Sequence, residues 1–423
     1  MNGKPYICAI SVLLVVFNGI TLAQVRMDSP LEPLIRDALQ RNPEILALEK
    51  SVAASVAQIP QAGALPDPMI KFGLMNLPVN SFEFDQEPMT GKQIMLTQRL
   101  PFPGTLSLQT KVSRQMATVA DTQLRSKECE VIRKVKEVCS NLIFVKQAIR
   151  ITEKNLATLE QFHLLAQTKY EVGEGLQQDV LRAQVELLKM NEKIVVLRQQ
   201  ERSLKAMLNT FLDRSPGEPV EELPEPSFTP FTYDEDSLHV LTEANNPTLK
   251  MMKARLAAAS SLKGLAGKGY FPQIDVSVAY TQREDILDRT MHDFFTAQVG
   301  FSLPLWFWRN QKKKVEAAEH RIWQVKDELE NARNMVRFDI ADLEIQRNEK
   351  EKLIELYRDG ILLQGEQSIR SALVAYQVNK VDFLTILNMQ KRLFDDETAY
   401  ERIRADREII LAKIEETVGK RLF

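Results

Sequence analysis

Four methionines are the residues of this sequence best suited to binding a soft metal ion. Met69, Met75, Met89 and Met95 lie close together along the chain. Their thioether sulfur atoms are suitable ligands for Cu(I) and Ag(I). Methionine side chains also fill irregular hydrophobic space without binding any ligand. The cluster is compatible with either role, and the choice depends on where the surrounding elements place it.

Residues that commonly perform catalysis are sparse and poorly spaced. The four histidines, at positions 163, 239, 292 and 320, are not paired with one another at the spacing of a metal site. The sequence contains no His-Glu-x-x-His, Gly-x-Ser-x-Gly or Walker motif. We therefore predict that the protein is not an enzyme and that it binds no cofactor.

The N-terminal residues indicate export from the cytoplasm. Lys4 precedes an apolar run from Tyr6 to Ile20, and Ala23 provides a small residue for cleavage. We therefore expect residues 1–23 to form a signal peptide, with an uncleaved anchor helix as the alternative. The formal net charge of −2 gives no strong positive field, so we predict no nucleic-acid partner.

Landmark sequences recur at a nearly constant interval, which indicates an internal duplication. An Asn-Pro pair at Pro43 recurs 204 residues later at Pro247, and a Tyr-x-Val turn at Tyr170 recurs 206 residues later at Tyr376. The linker between the copies holds five prolines, which exclude a regular helix. The predicted units are a first repeat, this linker and a second repeat, at residues 24–213, 214–233 and 234–423.

Each repeat is predicted to contain a helix, two strands, a very long helix and a final helix. The predicted helices lie near residues 30–62, 103–170 and 177–212, and again near 234–268, 307–376 and 381–418. At 1.5 Å per residue the longest would reach about 100 Å, which no compact single domain requires. A heptad stripe from Val180 to Phe211 is typical of a coiled coil, although an amphipathic helix in a bundle would also explain it.

Two segments of each repeat alternate apolar and polar residues, as strands with one apolar face do. The predicted strands lie near residues 69–77, 92–100, 273–281 and 294–303. Their length suits tilted strands crossing a bilayer with lipid on the apolar face. The alternative is a four-stranded sheet covered by helices on one side. The predicted lipid-facing residues are Ile70, Phe72, Leu74, Ile94, Leu96, Ile274, Val276, Val278, Tyr280, Phe295, Val299 and Phe301.

A membrane location would require several chains to share one sheet. Hydrocarbon offers no hydrogen-bond partners, so a sheet within it must close on itself. The smallest ordinary barrels use about eight strands, and four strands cannot close. Two chains would supply eight strands and three would supply twelve. The long helices would then extend the pore on one side of the membrane.

Several short sequences, in this order along the chain, resemble the TolC family of outer-membrane efflux proteins. They are residues 38–44 (Ala-Leu-Gln-Arg-Asn-Pro-Glu), 61–68, 100–104 (Leu-Pro-Phe-Pro-Gly) and 303–306, and the turns that begin at Tyr170 and Tyr376. The resemblance covers the whole chain after the signal peptide. It implies a mainly helical fold with a membrane β part. Specifically, three chains would share a 12-stranded outer-membrane β-barrel, and their coiled-coil helices would form a periplasmic α-barrel.

The resemblance also implies a function and partners. Members of the family are passive export ducts that obtain energy from an inner-membrane pump such as an RND transporter, through a periplasmic adaptor (membrane-fusion) protein. We therefore expect a homotrimer in contact with outer-membrane lipid, with its helices in the periplasm.

The two turns would be the functional tips of the helices. The resemblance implies adaptor contacts at Val172, Gly173, Val378 and Asn379. Asn379 stands where glycine is usual, and it tolerates a left-handed turn. Acidic residues near the tips often ring the closed pore in the family, and the matching gate candidates are Asp179, Asp382, Glu171 and Glu174. A carboxylate from each chain at a narrow neck would select cations, but both aspartates could equally be helix N-caps or first-turn acids that satisfy free backbone N–H groups.

The cargo is the least constrained prediction. Residues 66–78, together with 101–104, resemble the heavy-metal branch of the family, which favours export of heavy-metal cations. The alternatives are a multidrug duct and a type I protein-secretion duct. An alternative of a different class is a periplasmic coiled-coil adaptor or scaffold that never enters a membrane.

Overall fold

The computed structural model of the protein describes residues 31–221, 223, 228–286 and 289–423. The predicted signal peptide and five residues of the predicted linker therefore lie outside the described residues.

The helices follow the same order in both halves of the chain. The first half contains α1 (Glu32–Arg41), α2 (Pro43–Gly63), α3 (Thr105–Glu171) and α4 (Gln177–Phe211). The second half contains α5 (Glu235–Asn245), α6 (Pro247–Lys268), α7 (Gln311–Leu356), α8 (Leu362–Gln377) and α9 (Phe383–Val418). A π-helical segment, Tyr357–Ile361, connects α7 to α8.

Four antiparallel strands form one sheet. They are β1 (Met69–Met75), β2 (Gly91–Leu100), β3 (Gln273–Gln282) and β4 (Phe294–Ser302), and they lie side by side in this order. The four predicted strands are confirmed to within two residues at each end. Within the described residues, β1 and β4 are edge strands that pair on one side only.

The register of the sheet collects the apolar side chains on one face. Phe72 lies opposite Ile94, which lies opposite Tyr280, which lies opposite Phe295. Directly opposed residues share a face, and the same register places all twelve predicted residues on this face. Phe72 is 77% exposed and Phe295 is 74% exposed, so the alternative of helices covering the apolar face is wrong. Contact of this face with lipid stays a prediction.

Each helix predicted at the start of a repeat is in fact two helices. The single helices predicted near 30–62 and 234–268 are wrong because each is broken before a proline. Asn42 and Asn246 adopt ψ values of 120° and 122°, since a residue before proline is disfavoured in helical conformation. Each asparagine then caps the next helix, as where Asn246 Oδ1 accepts a hydrogen bond from Leu249 N–H at 2.9 Å.

The long helix predicted near 307–376 begins later and is not continuous. It begins at Gln311, because residues 303–310 form a separate segment, here called the second elbow. Within the elbow, Arg309 N–H donates to the Trp306 carbonyl at 3.1 Å. The helix is then interrupted by the π-helical segment, which contains Gly360. Glycine lowers the cost of leaving regular helical geometry.

The longest helix, α3, is the centre of the molecule. Leu159 and Phe162 in its last third are buried with Phe383 of α9, and Leu142 nearer its middle is buried with Leu208 of α4. The heptad stripe of α4 packs against α3, as both the coiled-coil seam and the amphipathic helix in a bundle predict. Burial of these side chains stabilises the long hairpins by about 25 cal/mol per Å² of apolar area.

The helices lie in two side-by-side rows that share α3. One row, next to the sheet, has the order α2, α3, α6, α7, and the other has the order α4, α3, α9, α8. Each row therefore ends in two helices that lack a neighbour on one side within the described chain. Among the described helices, none combines the length and apolar composition needed to cross a bilayer.

Candidate functional site at the helix tips

The first helix–helix turn, between α3 and α4, ends α3 with a left-handed residue. Gly173 N–H donates to the Tyr170 carbonyl at 3.0 Å, and Glu174 N–H donates to the Lys169 carbonyl at 2.8 Å. This pair of bonds is a Schellman motif, which requires a residue of positive φ. Gly173 supplies it, with φ of 77°.

The second turn, between α8 and α9, repeats this geometry with asparagine in place of glycine. Asn379 N–H donates to the Tyr376 carbonyl at 3.1 Å, and Lys380 N–H donates to the Ala375 carbonyl at 2.9 Å. Asn379 has φ of 58°, a conformation that asparagine adopts more readily than most other residues. The prediction that the turn tolerates Asn379 is confirmed.

Apolar side chains are exposed around both tips. Val172 and Val378 directly precede the two left-handed residues, and both are exposed. A groove between α4 and α9 lies close behind them, and its lining includes Leu181, Val185 and Leu384. The tips therefore present an accessible apolar surface.

Asp382 is the N-cap of α9. Its Oδ1 accepts a hydrogen bond from Thr385 N–H at 2.9 Å. This bond favours the charged carboxylate and holds the pKa of Asp382 below its usual value. The capping role considered for Asp382 is thus confirmed, and its gate role stays a prediction.

Asp179 is not the N-cap of α4, because Leu176 occupies that position; it lies in the first turn, which is the other helix-start position considered for it. Partial burial is the main cause that raises the pKa of Asp179. Arg182 opposes this rise, and the nearby charge of Asp382 adds to it. The structure therefore brings the two predicted aspartates into one electrostatic group with Arg182, which the sequence analysis had not singled out.

Glu171 and Glu174, the other two gate candidates, lie exposed on the first turn. Glu171 Oε1 accepts a hydrogen bond from Gln167 Nε2 at 3.0 Å. Neither glutamate is among the groups named as shifting the pKa of Asp179 or Asp382.

Lys169 joins the two tips and was missed in the sequence. This lysine is only 7% exposed. Its Nζ donates to the Tyr376 carbonyl at 2.9 Å and to Asn379 Oδ1, and it lies 4.6 Å from the centroid of the Tyr376 ring. A lysine in the last turn of a helix is ordinarily explained by the helix dipole, so no sequence signal distinguished it.

The methionines of the sheet lie on its polar face. Met69, Met75 and Met95 face the same side as Lys71, which is directly opposite Met95, while Met89 lies in the loop between β1 and β2. In the part of the chain that the structure describes, no group of histidine, cysteine, aspartate and glutamate is arranged to hold a metal ion.

A sheet with a bare apolar face, joined to long paired helices, is the architecture of a membrane channel protomer with a helical extension. The chain belongs to the outer membrane efflux protein family, which residues 34–211 and 238–420 match. It is therefore an efflux channel of the outer membrane with a periplasmic helical extension, and not an enzyme. The alternative of a periplasmic scaffold that never enters a membrane does not hold.

Similar proteins agree with this assignment. The outer membrane efflux protein BepC of Brucella suis is 21% identical over 310 residues, which span 71% of this chain and 66% of BepC. The outer-membrane channel OprN has a TM-score of 0.79 at 15% identity, covering 93% of this chain and 90% of OprN.

Two further channel structures show the same fold. CusC has a TM-score of 0.79 at 15% identity, covering 93% of each chain. The open state of the Neisseria gonorrhoeae channel MtrE has a TM-score of 0.76 at 15% identity, covering 92% of this chain and 89% of MtrE. The predicted fold class, that of the trimeric outer-membrane efflux channels, is confirmed.

Proposed function

We propose that three copies of this chain form a passive duct through the outer membrane for heavy-metal cations. A periplasmic adaptor and an inner-membrane pump such as an RND transporter would complete the system and supply the energy. The observation that carries this proposal is the sheet, which combines two open edges with one largely apolar face and a methionine-bearing polar face.

The open edges of the sheet call for further copies of the chain. Each unpaired backbone group costs several kcal/mol in hydrocarbon, so a sheet there must close. One chain supplies four strands, fewer than the roughly eight of the smallest ordinary barrels. Three copies would supply twelve, with β4 of one chain paired to β1 of the next.

The outer helices also leave apolar side chains uncovered. Phe338, Ile345 and Val374 are exposed on α7 and α8, and Leu188 and Val195 are exposed on α4. Because α4 and α8 end the same row of helices on opposite sides, a neighbouring copy would cover both surfaces. This supports a homotrimer whose helices close into a barrel together with its strands.

The tips supply the parts of a closed gate. Asp179 and Asp382 from every chain would place carboxylates around the narrow end, and such a ring selects cations. Lys169 would hold the turn of α8 and α9 against α3 in the closed state. Loss of that link would let the two hairpins of one chain separate.

The adaptor is proposed to bind at the tips. Its contacts would be Val172, Gly173, Val378 and Asn379, together with the groove between α4 and α9. Exposed apolar side chains at the end far from the sheet suit a periplasmic protein partner, because apolar residues form the centre of such interfaces.

The cargo proposal depends on Met69, Met75 and Met95. If these side chains lay on the apolar face, contact with lipid would be enough to explain them. They lie on the polar face instead, which in a closed barrel surrounds the lumen. Thioethers there could exchange soft cations such as Cu(I) and Ag(I) without holding them tightly.

Growth of a deletion strain across graded copper, silver, zinc, cobalt and lipophilic drugs tests the cargo. We expect sensitivity to copper and silver, restored by the wild-type gene. A variant with Met69→Leu, Met75→Leu and Met95→Leu keeps side-chain size and should restore growth less well on these two metals. Sensitivity to drugs alone would instead identify a multidrug duct, and no sensitivity to any small molecule would favour protein secretion.

A further inference from the structure

We propose that the second elbow and the start of α7 bind anionic phospholipid headgroups in the periplasmic leaflet of the outer membrane. The surface concerned, here called the elbow patch, comprises Trp306, Phe307, Trp308, Arg309, Lys312 and Lys314. The proposal rests on the outer-membrane location of the chain and is independent of its cargo.

The second elbow is longer than its counterpart in the first repeat. From Pro101 the chain reaches the start of α3 four residues later, at Thr105, whereas from Pro304 it reaches the start of α7 seven residues later, at Gln311. The counterpart, residues 101–104, has one aromatic residue and no basic residue. The extra residues of the second elbow are therefore an addition that the shared fold does not need.

The aromatic part of the patch is exposed where the sheet ends. Trp306 is 66% exposed and Trp308 is 51% exposed. Phe307 packs against Tyr270, with 6.3 Å between the ring centroids. The three residues follow shortly after the apolar side chain of Phe301 at the end of β4. Tryptophan and tyrosine favour the boundary between hydrocarbon and headgroups, so this segment marks that boundary.

The basic residues of the patch come directly after its aromatic residues in the sequence. Arg309, Lys312 and Lys314 are exposed and form no salt bridge among the described residues, whereas Lys313 between them pairs with Glu316 at 2.6 Å. Lys312 acts on Glu316 only at longer range, as a minor cause of the lowered pKa of that glutamate. Positive charge at a helix N-terminus is disfavoured by the helix dipole, so the dipole of α7 does not explain these basic residues. Basic clusters beside a membrane-embedded segment attract anionic lipids.

A neighbouring copy of the chain is the competing occupant, because β4 and α7 lie at an open edge. In a closed ring the elbow would lie beside the end of α2 and the approach to β1 in the next chain. Residues 51–68, which form that region, contain a single acidic residue, Asp67. A neighbour would therefore pair at most one of the three cations of the patch, and lipid phosphate matches their charge better.

Tryptophan fluorescence can test the proposal, because the three tryptophans of the chain are Trp306, Trp308 and Trp323. In the full-length Trp323→Phe channel both remaining tryptophans belong to the elbow patch. This channel is reconstituted in phosphatidylcholine vesicles that contain equal fractions of brominated phosphatidylglycerol or brominated phosphatidylcholine. We expect brominated phosphatidylglycerol to associate with the elbow patch at least about threefold more strongly than brominated phosphatidylcholine, as judged by quenching. This preference should weaken at high salt.

Two sets of substitutions serve as the variant and its control. Arg309→Gln, Lys312→Gln and Lys314→Gln together should abolish the preference for the anionic lipid. Three exposed basic residues farther along α7 provide a control with the same change of charge. The preference for the anionic lipid should be retained in the channel with Arg321→Gln, Arg337→Gln and Lys352→Gln. Equal quenching of the parent channel by both lipids would overturn the headgroup preference. No quenching by either would show that a neighbouring chain covers the patch, which would also overturn the proposal.

Discussion

At the residue scale, Lys169 makes a contact that connects the two repeats at their tips. Its ammonium group is nearly buried, and it is bound by a carbonyl oxygen, an amide oxygen and an aromatic face. A buried ammonium group that loses such partners carries a large desolvation cost. This side chain therefore adds a polar link to the apolar packing that holds the second turn against α3.

Replacing Lys169 by methionine should loosen the closed tips. Methionine keeps most of the length of the side chain and removes its donors. A charge-assisted hydrogen bond contributes about 1.5 kcal/mol, so we expect the ratio of open to closed channels to rise about tenfold in planar-bilayer recordings. Lys189→Met, at an exposed lysine paired with Glu186, is the control. Unchanged open probability in Lys169→Met would show that the link does not hold the gate.

The two roles considered for Asp382 can be separated by substitution. In Asp382→Asn the new amide would still accept the hydrogen bond from Thr385 N–H but would carry no charge, whereas Asp382→Ala would lose both the cap and the charge. We expect Asp382→Ala, but not Asp382→Asn, to lower the midpoint of thermal unfolding. Both should reduce cation selectivity, measured as the reversal potential in a salt gradient. Unchanged selectivity in Asp382→Asn would leave capping as the only role of this carboxylate.

The two gate aspartates should lose their charges at different pH. Partial burial raises the pKa of Asp179 above the ordinary 3.8, and the cap bond lowers that of Asp382 below the same value. For Asp179 the charged form opposes folding, and that cost disappears as the pH falls through the raised pKa. For Asp382 the stabilising interaction is present at neutral pH and is lost only as the pH falls through the lowered pKa.

Cation selectivity should therefore fall in two steps as a reconstituted channel is acidified from about pH 7 to about pH 2. The first step belongs to Asp179 and the second to Asp382. Asp179→Asn should remove the first step and leave the second. A parent channel whose reversal potential changes in a single step would contradict this assignment.

At the scale of elements, the two faces of the sheet should respond differently to charge. Val299 lies on the apolar face opposite Val276, and Gln298 lies on the polar face opposite Ser277. An arginine facing lipid at mid-depth costs about 2–4 kcal/mol, whereas one facing a lumen costs little. We expect Val299→Arg to reduce trimer recovered from outer-membrane fractions, as seen on unheated gels. Equal recovery of Gln298→Arg and Val299→Arg would mean that lipid does not contact the apolar face.

The strands were predictable because alternation with a period of two is a local property of the sequence, and it defined both their position and their faces. The helix breaks at Pro43 and Pro247 were not predicted, although each has a physical reason in the sequence, because a residue before proline is disfavoured in helical conformation. The π-helical segment and the Lys169 link were not predictable, since the link depends on contacts between positions more than 200 residues apart. The division of the chain at residues 214–233 stays a prediction.

At the scale of the whole molecule, the trimer can be tested by cross-linking its outer helices. Leu188 lies eleven residues after the start of α4 and Gln367 ten residues before the end of α8, and both are exposed, so the two are at similar heights on opposite edges. The natural Cys129 and Cys139 are free, and burial raises their pKa to about 11 and about 12. They should therefore remain thiols at neutral pH and not interfere.

Mild oxidation of a variant with both Leu188→Cys and Gln367→Cys should give covalent dimers and trimers on denaturing gels. Either substitution alone should give none, because each lies at only one of the two edges. A ladder that continues beyond the trimer, or monomer alone, would contradict a closed ring of three.

The duplication has a consequence for how such a ring would widen. The positions that correspond to Lys169 and Asn379 in the other repeat are Ala375 and Gly173, so the donor exists only in the first repeat and the side-chain acceptor only in the second. In the proposed trimer this link would fasten every seam within a chain and no seam between chains. The periplasmic end would then open along three seams, between three rigid sectors of one chain each that tilt outward together. The six helical hairpins would not move independently.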